Sequence, residues 1–220
     1  MLLLLLLFKT TTVMRPIINV LFIVFVLVSC ANQKDLKPGN FTKNQVALIT
    51  ALESDQPMRV FKINNTNDSI LLRQQSGYVK PDPNDITLKH FTNRLFATVR
   101  DSMSLGVGIA APQVGILKNI IWVQRFDKDD APFEVYLNPK IINYSEEKQT
   151  RREGCLSIPN RAETLNTRSK VITIEYDTLN AEHVTEDVAD FTSVIFQHEI
   201  DHLNGILFLD HLNKDIKDAK

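Results

Sequence analysis

The chain has 220 residues, 44% of them hydrophobic and 23% charged, with a formal net charge of -1. That balance describes an ordinary globular chain, one domain plus extras. The near-neutral charge argues against a nucleic-acid surface.

The extras lie at the N-terminus. Residues 1–8 are a leucine run, Lys9 opens a polar stretch, and Arg15-Pro16 precedes a second apolar run over 17–28 broken only by Asn19. A basic residue, an apolar run too short to span a bilayer comfortably and then small residues have the shape of a signal peptide. A single membrane anchor over 2–28 would instead place Lys9, Arg15 and Pro16 in the apolar layer, at a cost. The run ends Leu27-Val28-Ser29-Cys30, which resembles the lipobox of bacterial lipoproteins. The resemblance implies cleavage before Cys30 and lipidation of its thiol. It also implies an exported chain, lipid-anchored to a bacterial membrane on its periplasmic or cell-surface side. Met1 and Met14 are both available as starts. The expected organisation is a signal peptide over 1–29, a lipidated cysteine and polar tether over 30–57, a folded domain over 58–212 and a short polar tail over 213–220. With Cys30 committed to lipid, Cys155 is the one remaining thiol, and an odd cysteine in an exported protein needs an explanation.

Beyond the polar start of the tether, residues 41–52 are expected as a short helix, 60–63 as a strand and 64–68 as a turn leading into the domain at 70–73. Ile86, Leu88, Phe91, Leu95, Phe96, Val99 and Met103 recur at steps of mainly three and four, which predicts an amphipathic helix whose stripe is core. His90 reads as a surface or satisfied residue. Gly106-Val107-Gly108-Ile109-Ala110-Ala111-Pro112-Gln113 follows. Two glycines among small residues let a backbone approach closely, either as a ligand edge or as a tight packing corner. The stretch lacks the Lys-Ser/Thr ending of a nucleotide loop. Strands are expected at 120–123, at 135–137 ended by Asn138-Pro139, at 141–144, at 171–176 and at 183–185, with a charged loop over 146–153.

The last predicted element is a helix over 190–204 carrying Gln197-His198-Glu199-Ile200-Asp201-His202. Residues four apart share a helix face, so His198 and His202 present two imidazoles to one metal ion, with Glu199 beside them. This is the H-E-x-x-H pattern of metallohydrolases; the plain alternative is two histidines decorating a solvated helix. The histidines continue the stripe of Phe191, Val194 and Ile195 and therefore face inward, where a shared metal would satisfy both rings. Asn204-Gly205 supplies the stop. Catalytic zinc sites take three protein ligands plus water, and Cys155, in Glu153-Gly154-Cys155-Leu156-Ser157, is a candidate for the third.

These three stretches, GVGIAAPQ at 106–113, EGCLS at 153–157 and QHEIDH at 197–202, resemble in order and separation the signature motifs of peptide deformylase, with similarity running from about Arg59 to Leu212. The resemblance implies an α+β fold with antiparallel sheets around a central metal-binding helix. It implies hydrolysis of the N-formyl group from N-formyl-methionyl peptides, usually with Fe(II). Cys155, His198 and His202 would hold the metal and Glu199 would be the general acid/base. Gln113 and the backbone N–H of Leu156 would meet the developing oxyanion, and Gly106, Gly108 and Ile109 would border the substrate. Arg161 is a looser candidate near the substrate. Asp201 is expected to pair with Arg168 and hold the helix against the cysteine strand. Outside the cytoplasm Fe(II) on a thiolate is exposed to oxidation, which brings in Zn(II) or Ni(II) as alternatives. A monomer is expected. The competing readings are an H-E-x-x-H zinc peptidase, which would need His211 as its downstream ligand, and a catalytically inactive peptide-binding lipoprotein.

Overall fold

The computed structural model describes residues 40–101 and 106–212. The expected signal peptide, Cys30, most of the expected tether and the expected polar tail therefore lie outside the described residues.

Three helices come first: α1 (Lys43–Ile49), α2 (Thr66–Leu72) and α3 (Ile86–Arg100). Helix α1 starts at a capping box in which Thr42 and Gln45 each satisfy the other's backbone N–H. It packs on α3 through the buried side chains of Phe41 and Ile49. Arg94 of α3 is buried and donates to the carbonyls of Leu48, Ile49, Gln56 and Pro57. Residues 40–57, expected as the end of a tether, thus fold onto the domain. Their amphipathic pattern finds a partner in α3, and a buried guanidinium needs the carbonyls they bring.

Residues 60–63 are not a sheet strand. They run as a strap, Phe61 N–H donating to Gln113 O (2.7 Å) and Ile63 N–H to Ser157 O (3.0 Å). The expected turn at 64–68 is shorter, because Asn65 accepts from Asp68 N–H and opens α2 at Thr66.

Strands β1 (Gly108–Ala110), β2 (Ile120–Gln124), β3 (Phe133–Tyr144), β6 (Val171–Asp177) and β7 (His183–Ala189) form one antiparallel sheet in the order β1-β2-β3-β6-β7. Strands β4 (Lys148–Cys155) and β5 (Ile158–Ser169) form a separate antiparallel pair. Two expectations are corrected here and one strand is added. Asn138-Pro139 does not end a strand but sits in β3 at a register shift, with Asn138 at φ 52°. A bulge tolerates both a left-handed residue and a proline without an N–H, and the Asn138 side chain exchanges hydrogen bonds with Val79 N–H (2.8 Å) and Val79 O (2.7 Å). The segment at 146–153 is mostly strand β4 rather than a loop. Strand β5 was not foreseen, since neither β4 nor β5 alternates cleanly.

The last helix, α4 (Asp190–Leu203), is buried at every position from Thr192 to Leu203. It touches β1 and β2 on one side and β4 and β5 on the other. Ile195, Phe196, Ile200 and Leu203 pack with Ile121, Val123, Tyr136, Ile172 and Ile174 of the large sheet. The expected stripe is therefore only half of its buried surface. The remainder is polar side chains held in hydrogen bonds, such as Gln197 to the backbone of Ser169 on both sides of its amide. Gly205 ends the helix at φ 72°, where a Cβ would collide with the backbone of Arg73 at the end of α2. The architecture is α+β, antiparallel sheets around one central helix.

Candidate active site

Three segments converge on α4: β1 with the following 3-10 turn (Ala111–Val114), the β4–β5 hairpin turn at 155–158, and the helix's own middle turns. The strap at 60–63 ties the first two together through Gln113 and Ser157. A cavity of about 340 Å³ opens among them, lined by Gly108, Gln113, Cys155, His198 and Glu199 together with apolar side chains.

Cys155 Sγ lies 3.2 Å from His202 Nε2, and the ligand atoms of Cys155, His198 and His202 all stand within 4.8 Å of one another. One soft, partly buried thiolate and two buried imidazoles, mutually close, are the donor set of an open four-coordinate site. The orientation of His198 fits that use. Its Nδ1 is engaged by Glu153 Oε2 at 2.8 Å, which leaves Nε2 for an ion. Burial opposes ionisation of the Cys155 thiol, yet the charge and hydrogen bonds of His202 and His198 outweigh it and hold the thiol well below its ordinary value. Ser157 N–H (3.4 Å) and Gln113 Nε2 (3.6 Å) also donate to the sulfur.

Glu199 is buried beside the triad, and its Oε2 has no hydrogen-bond partner among the described residues. Burial pushes its carboxyl up to about 7, against the opposing pull of His198 and His202. A carboxyl poised near neutrality both accepts and returns protons. Gly108 is what brings β1 so close. A Cβ there would stand 2.5 Å from Glu199 Oε1 and 2.8 Å from Ile195 Cγ2.

Behind the triad sits a network that the motifs alone hardly reveal. Arg168 donates through Nε and Nη2 to both oxygens of Glu153 (2.8 and 2.9 Å) and through Nη1 to Asp201 Oδ2 (2.6 Å). All three side chains are buried. The guanidinium thus links β5, β4 and α4 in one fork. In the sequence alone Glu153 is only the end of a charged loop and a letter of the EGCLS motif; the signal for its role in orienting His198 is a lone acid in β4 two residues before the ligand cysteine.

Most sequence-designated residues meet here: Gly106, Gly108, Gln113, Cys155, Leu156, His198 and Glu199 line the cavity, and His202 closes the triad. Ile109 does not line it. Strand alternation turns its fully buried side chain into the core with α3. Arg161 pairs with Glu163 (2.8 Å) and is half exposed, away from the cavity lining. The Gln113 amide is fixed from both ends, Oε1 accepting from Ala110 N–H (2.8 Å) and Nε2 donating to Ser157 Oγ (3.2 Å). His211, the histidine a zinc peptidase would need, bonds Asp201 Oδ2 at 2.8 Å instead.

Residues 60–218 match the family model described as polypeptide deformylase. A peptide deformylase of Pseudothermotoga lettingae is 38% identical over 152 residues, covering 69% of this chain and 82% of that one. The structure superposes on the Met-Ala-Ser-bound class I type b peptide deformylase of Acinetobacter baumannii with a TM-score of 0.62 and 34% identity, covering 71% of this chain and 98% of that one. The corresponding values for the peptide deformylase of Thermotoga maritima are 0.61 and 32%, covering 70% and 97%. Sequence, fold and metal-ligating triad thus agree, and the chain belongs to the polypeptide deformylase family, with that family's enzymatic activity.

Proposed function

We propose that the chain removes the formyl group from N-formyl-methionyl peptides, with Cys155, His198 and His202 holding one divalent ion. The observation that carries this reading is the convergence of an unpartnered Glu199 oxygen, the fixed Gln113 amide and the triad on one cavity. A divalent ion held by the three donors supplies the Lewis acidity that lets a water ionise near neutral pH. Glu199 takes the proton of the attacking water and delivers it to the departing amine, so that formate and a free N-terminal methionine result. Charge collecting on the former carbonyl oxygen meets Gln113 Nε2 and the Leu156 N–H; removing one such donor typically costs about 10²- to 10³-fold in rate. The backbone of Gly106 to Gly108, at the open edge of β1, borders the substrate chain. Val107, Leu156, Val194 and Ile195 give the cavity the apolar wall that a methionine side chain fits.

Fe(II) is the ion the family resemblance favours, with Zn(II) or Ni(II) the alternatives in an oxidising compartment. The enzyme acts as an exported monomer tethered through lipid on Cys30; the order Leu27-Val28-Ser29-Cys30 supports this part of the reading. Its substrates are then formylated peptides outside the cytoplasm. The test is formate release from formyl-Met-Ala-Ser by protein reconstituted anaerobically with Fe(II), Ni(II) or Zn(II), beside a Glu199→Gln control. Release that vanishes in the control is expected. Stoichiometric metal binding without formate in any of the three forms would overturn the reading.

A further inference from the structure

Of the nine arginines among the described residues, five have carboxylate partners: Arg59 with Asp68, Arg73 with Asp210, Arg125 with Asp127 and Glu186, Arg161 with Glu163, and Arg168 with Glu153 and Asp201. Arg94 is taken up by backbone carbonyls and Arg100 stands over the Phe133 ring; the remaining two, Arg151 and Arg152, are adjacent on β4, with Arg152 at the cavity. Arg152 lines the cavity and is exposed, and it makes no hydrogen bond or ion pair among the described residues. Arg151 donates only to the neutral Gln149 Oε1 (3.3 Å), and its guanidinium stands 6.0 Å from the ring centroid of Phe191, a cavity-lining residue. A net charge of -1 means this rim is not a sample of a generally basic surface. The acids nearest to it along the chain are engaged: Glu153 is held by Arg168 and His198, and Glu147 by Lys170. The carboxylate that this rim lacks is not supplied by the described part of the protein.

Geometry sets where on a substrate a carboxylate would meet it. Arg152 lies three residues before Cys155 in the same strand, and strands advance about 3.3 Å per residue, so its backbone is ~10 Å from the reacting centre. An extended peptide with its formyl group at that centre covers the same distance by about its second or third residue. We propose that Arg152, assisted by Arg151, is a specificity-determining residue that recognises a carboxylate at the third residue of the formylated peptide. This deepens the deformylase reading and rests on it. The carboxylate has two sources, an acidic side chain or the free C-terminus of a very short peptide. Both make the same charge-assisted hydrogen bonds with a guanidinium.

The test compares matched substrates on the metal-loaded full chain: formyl-Met-Ala-Ser as free acid and as amide, and the amides of formyl-Met-Ala-Glu and formyl-Met-Ala-Gln. A half-exposed ion pair of about 1 kcal/mol predicts a kcat/KM preference of roughly fivefold for the charged member of a pair, carried in KM. A preference in the first pair alone identifies the C-terminal carboxylate as the source, and one in the second pair identifies the side chain. The preference should shrink toward unity in Arg151→Gln/Arg152→Gln, reverse in Arg152→Glu, and survive in part in Arg152→Lys. It should also fade as salt is raised. Equal kcat/KM within both pairs for the unsubstituted enzyme, or a preference that persists in the double variant, overturns the proposal. Failure of the deformylase reading looks different, because no substrate of the four would then release formate.

Discussion

Glu153 Oε2 stands 2.8 Å from His198 Nδ1 while both carboxylate oxygens of the same residue are gripped by Arg168. The ring is thereby set in the tautomer that presents Nε2 to an ion, and a buried carboxylate behind it raises its basicity. Glu153→Gln keeps the size and an acceptor but loses the charge. The variant is expected to bind Zn(II) or Fe(II) about 10- to 100-fold more weakly, as losses of such outer partners typically do. Chelator competition measures it, and an unchanged affinity would refute the orienting role.

Arg168 is the counter-charge for two buried carboxylates, Glu153 and Asp201. Removing one partner of a buried ion pair leaves an uncompensated charge, typically at a cost of about 3–5 kcal/mol. Arg168→Met should therefore lower stability in urea by roughly that much. Asp201→Asn should cost less, because the Glu153 half of the fork remains. Equal losses in the two variants would contradict this division of labour.

The helix with its two histidines was the most legible element, because period and motif agree at the same residues. Its burial on all sides was not legible: Ser193, Gln197 and Asp201 look like a solvated face until β4 and β5 cover them. Those strands were hard to read for a related reason. Glu153 and Arg168 point inward as charges, and inward charges erase the alternation on which strand reading depends. Asn138-Pro139 misled in the opposite direction, since turn chemistry there serves a bulge inside β3. In the site, residue identities were legible from the motifs, whereas the burial of the Ile109 side chain in the core was not, because only the strand's register shows which way it faces.

Gly108 carries a prediction that the metal triad does not. A Cβ at this position would stand 2.5 Å from Glu199 Oε1 and 3.0 Å from Glu199 Cδ, so Gly108→Ala must displace the general acid/base or push β1 away from α4. Misplacing a catalytic group by about 1 Å can cost on the order of 10²-fold in rate. The expected outcome is a fall of that size in kcat with one metal ion per chain still bound. Full activity in the alanine variant would show that the close approach has no catalytic consequence.

A second charged cluster, sharing no residue with the triad, surrounds Arg125. Arg125 is buried and donates to Asp127 (2.7 Å), Glu186 (2.9 Å) and Tyr136 Oη (2.8 Å). The Asp127 carboxyl is held below its ordinary value, first by the hydrogen bond from Arg125. A carboxyl depressed by folding contributes stability above its unfolded value, about pH 4, and loses it as pH falls through the lower folded value. Asp127→Asn should be less stable than the parent at about pH 7, with the gap narrowing as pH drops below about 4. Urea midpoints at the two pH values read this out, and a gap that stays constant would show that Asp127 does not contribute to acid sensitivity.

The proposal of lipid attachment at Cys30 rests on the sequence Leu27-Val28-Ser29-Cys30 and on the incompatibility of Lys9, Arg15 and Pro16 with a continuous anchor. A single acyl chain binds membranes only marginally, and stable anchoring takes more than one. If Cys30 is the acceptor, the parent chain expressed in a bacterium with lipoprotein processing should incorporate labelled fatty acid and sediment with membranes. Cys30→Ser should do neither. Cys155→Ser, by contrast, should remain labelled while losing its metal, since that thiol belongs to the triad. Label retained in the Cys30→Ser chain would remove the lipoprotein reading and leave the deformylase chemistry untouched, because every residue of the site lies between 106 and 202.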